Sequence, residues 1–230
     1  MKSIYILFLS VLFFSTTLFA QELTAPDRPG FGFSSSIVNN GVYQAETGFL
    51  LGENLQVAGP FNFRTGIAKN LELRAGLGSI QSESPAVTVQ SFGLKYLLAS
   101  TDNLGLAVLG RMNLPFLNSN YGYYRTRFSL LGDFKISDAI SINSNLGYGD
   151  FVGKPDYKNG SVNFSITPSY ALTKKMAVYL SSEYDNIDEK IDILGGLTYL
   201  ISSSIQVDAG IQTDHDYESY SIGAGISASF

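Results

Sequence analysis

From residue 42 onward, apolar side chains recur at every second position in one short run after another. The most regular are Leu71-Glu72-Leu73-Arg74-Ala75-Gly76-Leu77, Ile140-Ser141-Ile142-Asn143-Ser144-Asn145-Leu146 and Ile205-Gln206-Val207-Asp208-Ala209-Gly210-Ile211. A strand turns successive side chains to opposite faces, so a period of two predicts strands with one apolar face. The same test along the chain predicts twelve strands, over residues 42–51, 57–67, 71–80, 87–98, 104–114, 124–136, 140–148, 161–172, 176–184, 191–200, 204–212 and 220–230. Their lengths cluster near the ~9 to 11 residues that cross a bilayer at a tilt.

The links alternate in length. Ala68-Lys69-Asn70, Ser100 to Asn103, Ser137-Asp138-Ala139, Thr173-Lys174-Lys175 and Ile201-Ser202-Ser203 are tight. Gln81 to Ala86, Pro115 to Tyr123, Gly149 to Gly160, Asp185 to Lys190 and Thr213 to Ser219 are longer and more polar, with Gly52 to Gln56 the weakest example. Short turns at one end and long loops at the other are the pattern of a transmembrane barrel at its periplasmic and outer ends.

Period two alone does not say whether the apolar face points into a soluble core, as in a lipocalin-like barrel, or out into lipid. The apolar parity carries no Asp, Glu, Lys or Arg on any of the twelve strands. The opposite parity holds the charges together with Gly48, Gly66, Gly76, Gly93, Gly105, Gly147, Gly196, Gly210, Gly223 and Gly225. Glycine weakens a solvent-facing strand, whereas in a crowded lumen it leaves room for long side chains opposite. On the apolar parity Tyr43, Phe49, Phe61, Tyr96, Phe134, Tyr148, Tyr170, Tyr184, Tyr199, Tyr220 and Phe230 lie toward strand ends, as two interfacial girdles require. The fold class expected is therefore an all-β, antiparallel transmembrane β-barrel of about twelve strands.

Composition narrows the setting. Residues 1–20 place Lys2 ahead of an apolar run that ends at Ala20, the pattern of a secretory signal peptide, although Leu18 stands where a small residue is preferred. Residues 21–41 then read as a periplasmic N-terminal segment and residues 42–230 as the barrel. The chain has no Cys, which excludes disulfides and a lipoprotein anchor, and no later run of eighteen apolar residues predicts a transmembrane helix. A net charge of −5 without basic clusters argues against nucleic acid as a partner.

Two stretches resemble a known family. Ala25-Pro26-Asp27-Arg28-Pro29, then Gly41-Val42-Tyr43-Gln44-Ala45-Glu46-Thr47-Gly48-Phe49, is similar to the entry of the outer-membrane transporter family named after the meta-cleavage pathway of phenol degradation. Arg64-Thr65-Gly66-Ile67-Ala68-Lys69-Asn70-Leu71-Glu72-Leu73-Arg74 and Phe92-Gly93-Leu94-Lys95-Tyr96 resemble it too, while Gly30-Phe31-Gly32 stands where the family usually continues polar. The resemblance implies a barrel in the cell outer membrane that transports small solutes. The phenol label is a pathway association rather than a ligand.

The charges expected in the lumen are the candidate chemistry. Arg64, Arg74, Lys95, Arg111, Arg125 and Arg127 lie on the second to sixth predicted strands, and Glu46, Glu183, Asp192 and Asp208 on the first, ninth, tenth and eleventh. Closing the barrel would set a basic wall against an acidic one, a field that orients polar solutes and filters by charge. The same residues would alternatively pair across a narrow, plugged interior. Asp27-Arg28-Pro29 could fold back into the lumen, with Arg28 meeting Glu46 or Asp208, or act as a tether. The only His, His215, lies in the loop Thr213 to Glu218 between Asp214 and Asp216; neighbours on a loop do not make an oriented triad, so no catalytic, metal or cofactor site is expected. The long loops hold ten acids against three bases and read as a solvated rim.

The closing run Tyr220 to Phe230 splits into an apolar row ending at Phe230 and a row of Ser and Gly. It is expected to zip to the first strand, and its terminal Phe230 resembles the signal read by the outer-membrane assembly machinery. Expected partners are that machinery, outer-membrane lipids and lipopolysaccharide, and an unidentified small solute. A structural or adhesive barrel with a filled lumen and partner-binding loops is the alternative.

Overall fold

The computed structural model describes residues 21–52, 57–58, 60–77, 89–115, 124–152, 160–186, 189–213 and 220–230. The expected signal peptide and the loop carrying His215 lie outside these residues, as do Glu53, Glu83, Lys154, Asp156, Lys158 and Asp188 of the expected acidic rim. The strands are β1 (Tyr43–Gly52), β2 (Val57–Ala58), β3 (Phe61–Ala68), β4 (Leu71–Leu77), β5 (Val89–Ser100), β6 (Leu104–Pro115), β7 (Tyr124–Lys135), β8 (Ile140–Val152), β9 (Ser161–Ala171), β10 (Met176–Asp185), β11 (Lys190–Ser202), β12 (Ile205–Thr213) and β13 (Tyr220–Ser229). The short β2 and β3 pair with β1 in one register and form a single stave interrupted near Pro60, which has no N–H to give the ladder. Twelve staves therefore make the wall, at the positions the period of two predicts.

Each stave pairs antiparallel with the next, and β13 returns to pair with β1 from Gln44↔Ser229 to Gly52↔Ser221. Closure leaves no sheet edge, and in lipid an unpaired edge would strand backbone donors and acceptors. The seam is finished by Phe230, whose N–H donates to the Tyr43 carbonyl at 2.9 Å while the Tyr43 N–H donates back at 3.0 Å. The two rings stack with centroids 6.2 Å apart. Deleting Phe230 removes both bonds and the stack together. The fraction of chain that reaches the heat-modifiable folded form on dilution into detergent micelles should fall, and Phe230→Tyr should largely keep it.

The tight turns have local causes. The Ser137 hydroxyl accepts from the Ala139 and Ile140 N–H groups, and Thr173 does the same for Lys175 and Met176. Asn70 takes the left-handed φ of 63° that reverses the chain between β3 and β4.

The outward face is apolar over the whole wall. Phe49, Leu94, Phe128, Leu180 and Ile222 are all at least half exposed, with tyrosines such as Tyr96, Tyr148, Tyr184 and Tyr199 near the ends. Leaving such a belt to water would be costly, whereas against acyl chains it is the favourable surface. The charged parity points inward, where Glu46, Arg64, Glu72 and Lys95 are fully buried.

Residues 21–41 correct one expectation and meet another: rather than staying at the periplasmic side as a tether, they fold back into the lumen, the other course open to Asp27-Arg28-Pro29. They thread the lumen as a plug without regular secondary structure. Leu23 is tied to Ser203 at the short-turn end, the chain crosses the interior past Ser181 and Asn145, and it returns to bridge Gly66 at Asn40 before β1 begins. The correction has a physical basis. A buried loop needs partners for its backbone groups, and the lumen side chains supply them.

Candidate functional site

The lower lumen is a balanced charge cluster closed by the plug. Arg64 on β3 holds Glu72 of β4 through Nε at 3.0 Å and Nη2 at 3.1 Å, and reaches Glu46 of β1 through Nη1 at 2.8 Å. Lys95 on β5 lies 3.4 Å from Glu72, and Arg74 lies 3.5 Å from it. The wall thus sets three cations against two carboxylates, and Asp27 of the plug supplies the third by pairing with Arg74 and lying 3.8 Å from Arg64. On the opposite side Arg28 pairs with Asp208 of β12 at 3.1 Å. The dipeptide Asp27-Arg28 therefore spans the expected basic and acidic walls, one charge to each. Buried charges are tolerated only when paired, and with the plug in place each cation of this cluster has a carboxylate within ion-pair distance.

The same groups hold the plug's backbone. Glu46 accepts from the Asp27 and Arg28 N–H groups at 3.0 and 3.3 Å, and Glu72 accepts from the Val38 N–H at 2.8 Å. Lys95 donates to the carbonyls of Ser34 and Ser36 at 2.9 and 2.7 Å, and Arg64 to those of Ala25 and Ser36. The Asn145 amide accepts from the Phe33 N–H at 2.5 Å, and Asn143 and Asn145 both donate to the Phe33 carbonyl. Gly48 and Gly225 leave the space that the Arg28 guanidinium fills, since a Cβ on either would meet it within 2.6 Å. At Gly66 a Cβ would meet the plug backbone itself, at 2.3 Å from the Val38 carbonyl.

The period of two missed one feature of this packing. Ala107, Leu109 and Leu131 sit on the inward parity yet are apolar and buried, and Phe33 packs against them with Leu97. The signal was present as leucines on an otherwise polar face, but their partner lies on a segment with no periodicity. Phe33 also lies under two guanidinium groups, Arg74 and Arg111, each 4.9 Å from the ring centroid.

Of the ten residues expected to line the lumen, the structure covers Glu46, Arg64, Arg74, Lys95 and Asp208 with the plug. Arg111, Arg125, Arg127 and Glu183 lie beyond it, toward the long-loop end, and Asp192 faces Glu183 in register on β11. Arg125 and Arg127 both bond Asp185, at 3.3 and 3.2 Å. Asp185, expected in an outer loop, instead ends β10 and turns inward.

Three cavities follow one another along the lumen. The short-turn mouth opens into about 860 Å³, which continues beside the plug into about 300 Å³ near Tyr179, Thr198 and Gln206. Beyond the plug lies a third of about 190 Å³, with Phe31 and Phe33 as its floor. Gly30 to Phe33, one chain thick, separates the second from the third.

Residues 26–230 match the family described as "Putative MetA-pathway of phenol degradation". No curated protein matches the chain in sequence. Among solved structures, the KdgM porin superposes with a TM-score of 0.64 at 12% identity, over 81% of this chain and 99% of that one. A crystal structure of an outer membrane channel from Pseudomonas putida F1 gives 0.60 at 9% identity, over 84% of this chain and 97% of that one. The NanC porin gives 0.58 at 9% identity, over 81% and 98%. At these identities the likeness is one of fold, the closed antiparallel barrel of outer-membrane porins.

Proposed function

We propose that this chain, which belongs to the family described as "Putative MetA-pathway of phenol degradation", works as an outer-membrane channel for small polar solutes and has no chemistry of its own. The observation that carries the reading is the polar interior of a barrel jacketed in apolar side chains, with lumen cavities on either side of Gly30 to Phe33. A jacket of this kind places the barrel in a bilayer, and a charged, hydrated interior gives a polar solute the contacts it loses on leaving water. Arg111, Arg125, Arg127, Glu183 and Asp192 are the residues left to filter solutes. Glu46, Arg64, Arg74, Lys95 and Asp208 serve first to seat the plug. Phe230, at the seam, is also the residue proposed for recognition by the assembly machinery.

The test is conductance of the refolded mature chain in planar bilayers. Single-channel steps are expected, and the double variant R125E/R127E should move ion selectivity toward cations, because two fixed positive charges become negative near the outer mouth. Absence of steps from wild type and from a plug deletion alike would sink the channel reading. The filled lower lumen favours one second reading, a structural or adhesive barrel. That reading requires loop deletions to abolish partner binding while permeability stays unchanged.

A further inference from the structure

The cavity above the plug holds opposite charges that do not pair with each other. Arg111 of β6 and Glu183 of β10 both line it, from walls four staves apart. Among the described residues neither makes an ion pair. The Arg111 guanidinium rests over the Phe33 ring, and Glu183 accepts one hydrogen bond, from Asn163 Nδ2 at 2.8 Å. Arg111 stands directly opposite Arg127 across the β6–β7 ladder, an arrangement of like charges that destabilises a sheet unless something offsets it. Arg127 is drawn off toward Asp185, which leaves Arg111 facing the cavity. Arg127 and Asn163 also line this space, and Arg127 Nε and Asn163 Oδ1 are buried without a hydrogen-bond partner among the described residues. Buried polar atoms of this kind call for a ligand or ordered water.

We infer that this cavity binds a small zwitterion of the α-amino-acid type, with its carboxylate on Arg111, its ammonium on Glu183 and its apolar body on Phe31 and Phe33. The charges decide the class. Arg127 also lines the space but is paired with Asp185, so a simple anion drawn to Arg111 would also face Glu183, and a simple cation drawn to Glu183 would face Arg111. A solute that carries both charges on one carbon satisfies both walls at no net charge. A bidentate carboxylate suits the planar guanidinium. The volume of about 190 Å³ admits one such molecule with a short aliphatic side chain. The inference deepens the channel reading by naming the solute class, and its test does not depend on conductance.

The probes are L-valine, isovalerate, which lacks the ammonium, and isobutylamine, which lacks the carboxylate. Each is titrated calorimetrically into the refolded mature chain in micelles. L-valine should bind about tenfold or more tightly than either fragment, since each fragment leaves one buried charge unanswered. Arg111→Gln should weaken valine by a similar factor and remove its advantage over isobutylamine, and Glu183→Gln should remove its advantage over isovalerate. Heat-modifiable migration establishes that each variant is folded, and the wild-type series stands without them. Equal affinity for valine and isovalerate, equal affinity for valine and isobutylamine, or no saturable valine binding would each overturn the inference. A barrel that binds valine but passes no current would remove the channel reading and leave the site standing. A conducting barrel that does not bind valine would do the reverse.

Discussion

Replacing Arg64 with leucine should cost about 3–5 kcal/mol of folding stability, the range for breaking a buried ion pair by removing one partner. Arg64 is fully buried and, among the described residues, is the only cation that bonds both Glu46 and Glu72. Without it those carboxylates retain Lys95 and Arg74, at 3.4 and 3.5 Å from Glu72 alone, and Glu46 loses its guanidinium. Two plug carbonyls, those of Ala25 and Ser36, lose their donor at the same time. The chain has no Trp and 14 Tyr, so urea unfolding in micelles is followed by tyrosine fluorescence and by heat-modifiable migration. Arg64→Lys should recover only part of the loss, because one ammonium cannot reproduce the fork that reaches Glu72 twice and Glu46 once. The double variant R64L/E72L should be more stable than R64L alone, since it removes a carboxylate left without its main partner. Wild-type stability in R64L would mean that the cluster is hydrated and the plug loose.

The wall was legible in the sequence and the plug was not, for a physical reason. In Leu71 to Leu77 or Ile205 to Ile211 the side-chain alternation imposed by the pleat is written directly as apolar and polar letters, and the glycines on the charged parity with aromatics at the ends of the apolar one point the apolar face to lipid. Strand order needs nothing further, because each tight turn makes the next stave antiparallel and the β1–β13 seam is the one pairing that removes both edges. The plug has no repeat to read. Its backbone bonds go to side chains on eight different staves, so its path depends on the finished barrel rather than on its own residues. Asp27-Arg28 could be singled out as a pair of charges able to enter the lumen, yet only the closed wall shows that each charge answers one side. Asp185 was misplaced for the related reason that the last residue of a strand and the first of a loop look alike in sequence. Its inward turn follows from Arg125 and Arg127, three staves of sheet away.

Removing residues 24–36 while keeping the stem from 37 onward should raise single-channel conductance severalfold. Gly30 to Phe33 lies between the cavity of about 300 Å³ beside the plug and the outer one of about 190 Å³. The barrel itself should survive the deletion, since the twelve-stave ladder and its seam include none of the removed residues. It should be less stable, because Arg74 loses Asp27, Asp208 loses Arg28, and water must take over their solvation. The double variant D27N/R28Q separates tethering from bulk: it keeps the chain in place sterically but weakens both of its charged anchors. Its conductance should fall between wild type and the deletion, with more frequent transitions between levels as the segment leaves and re-enters its seat. Equal conductance in all three would show that current passes beside the plug rather than through its position. Silence from all three would leave the barrel without a conducting path and return the filled lumen to a structural role.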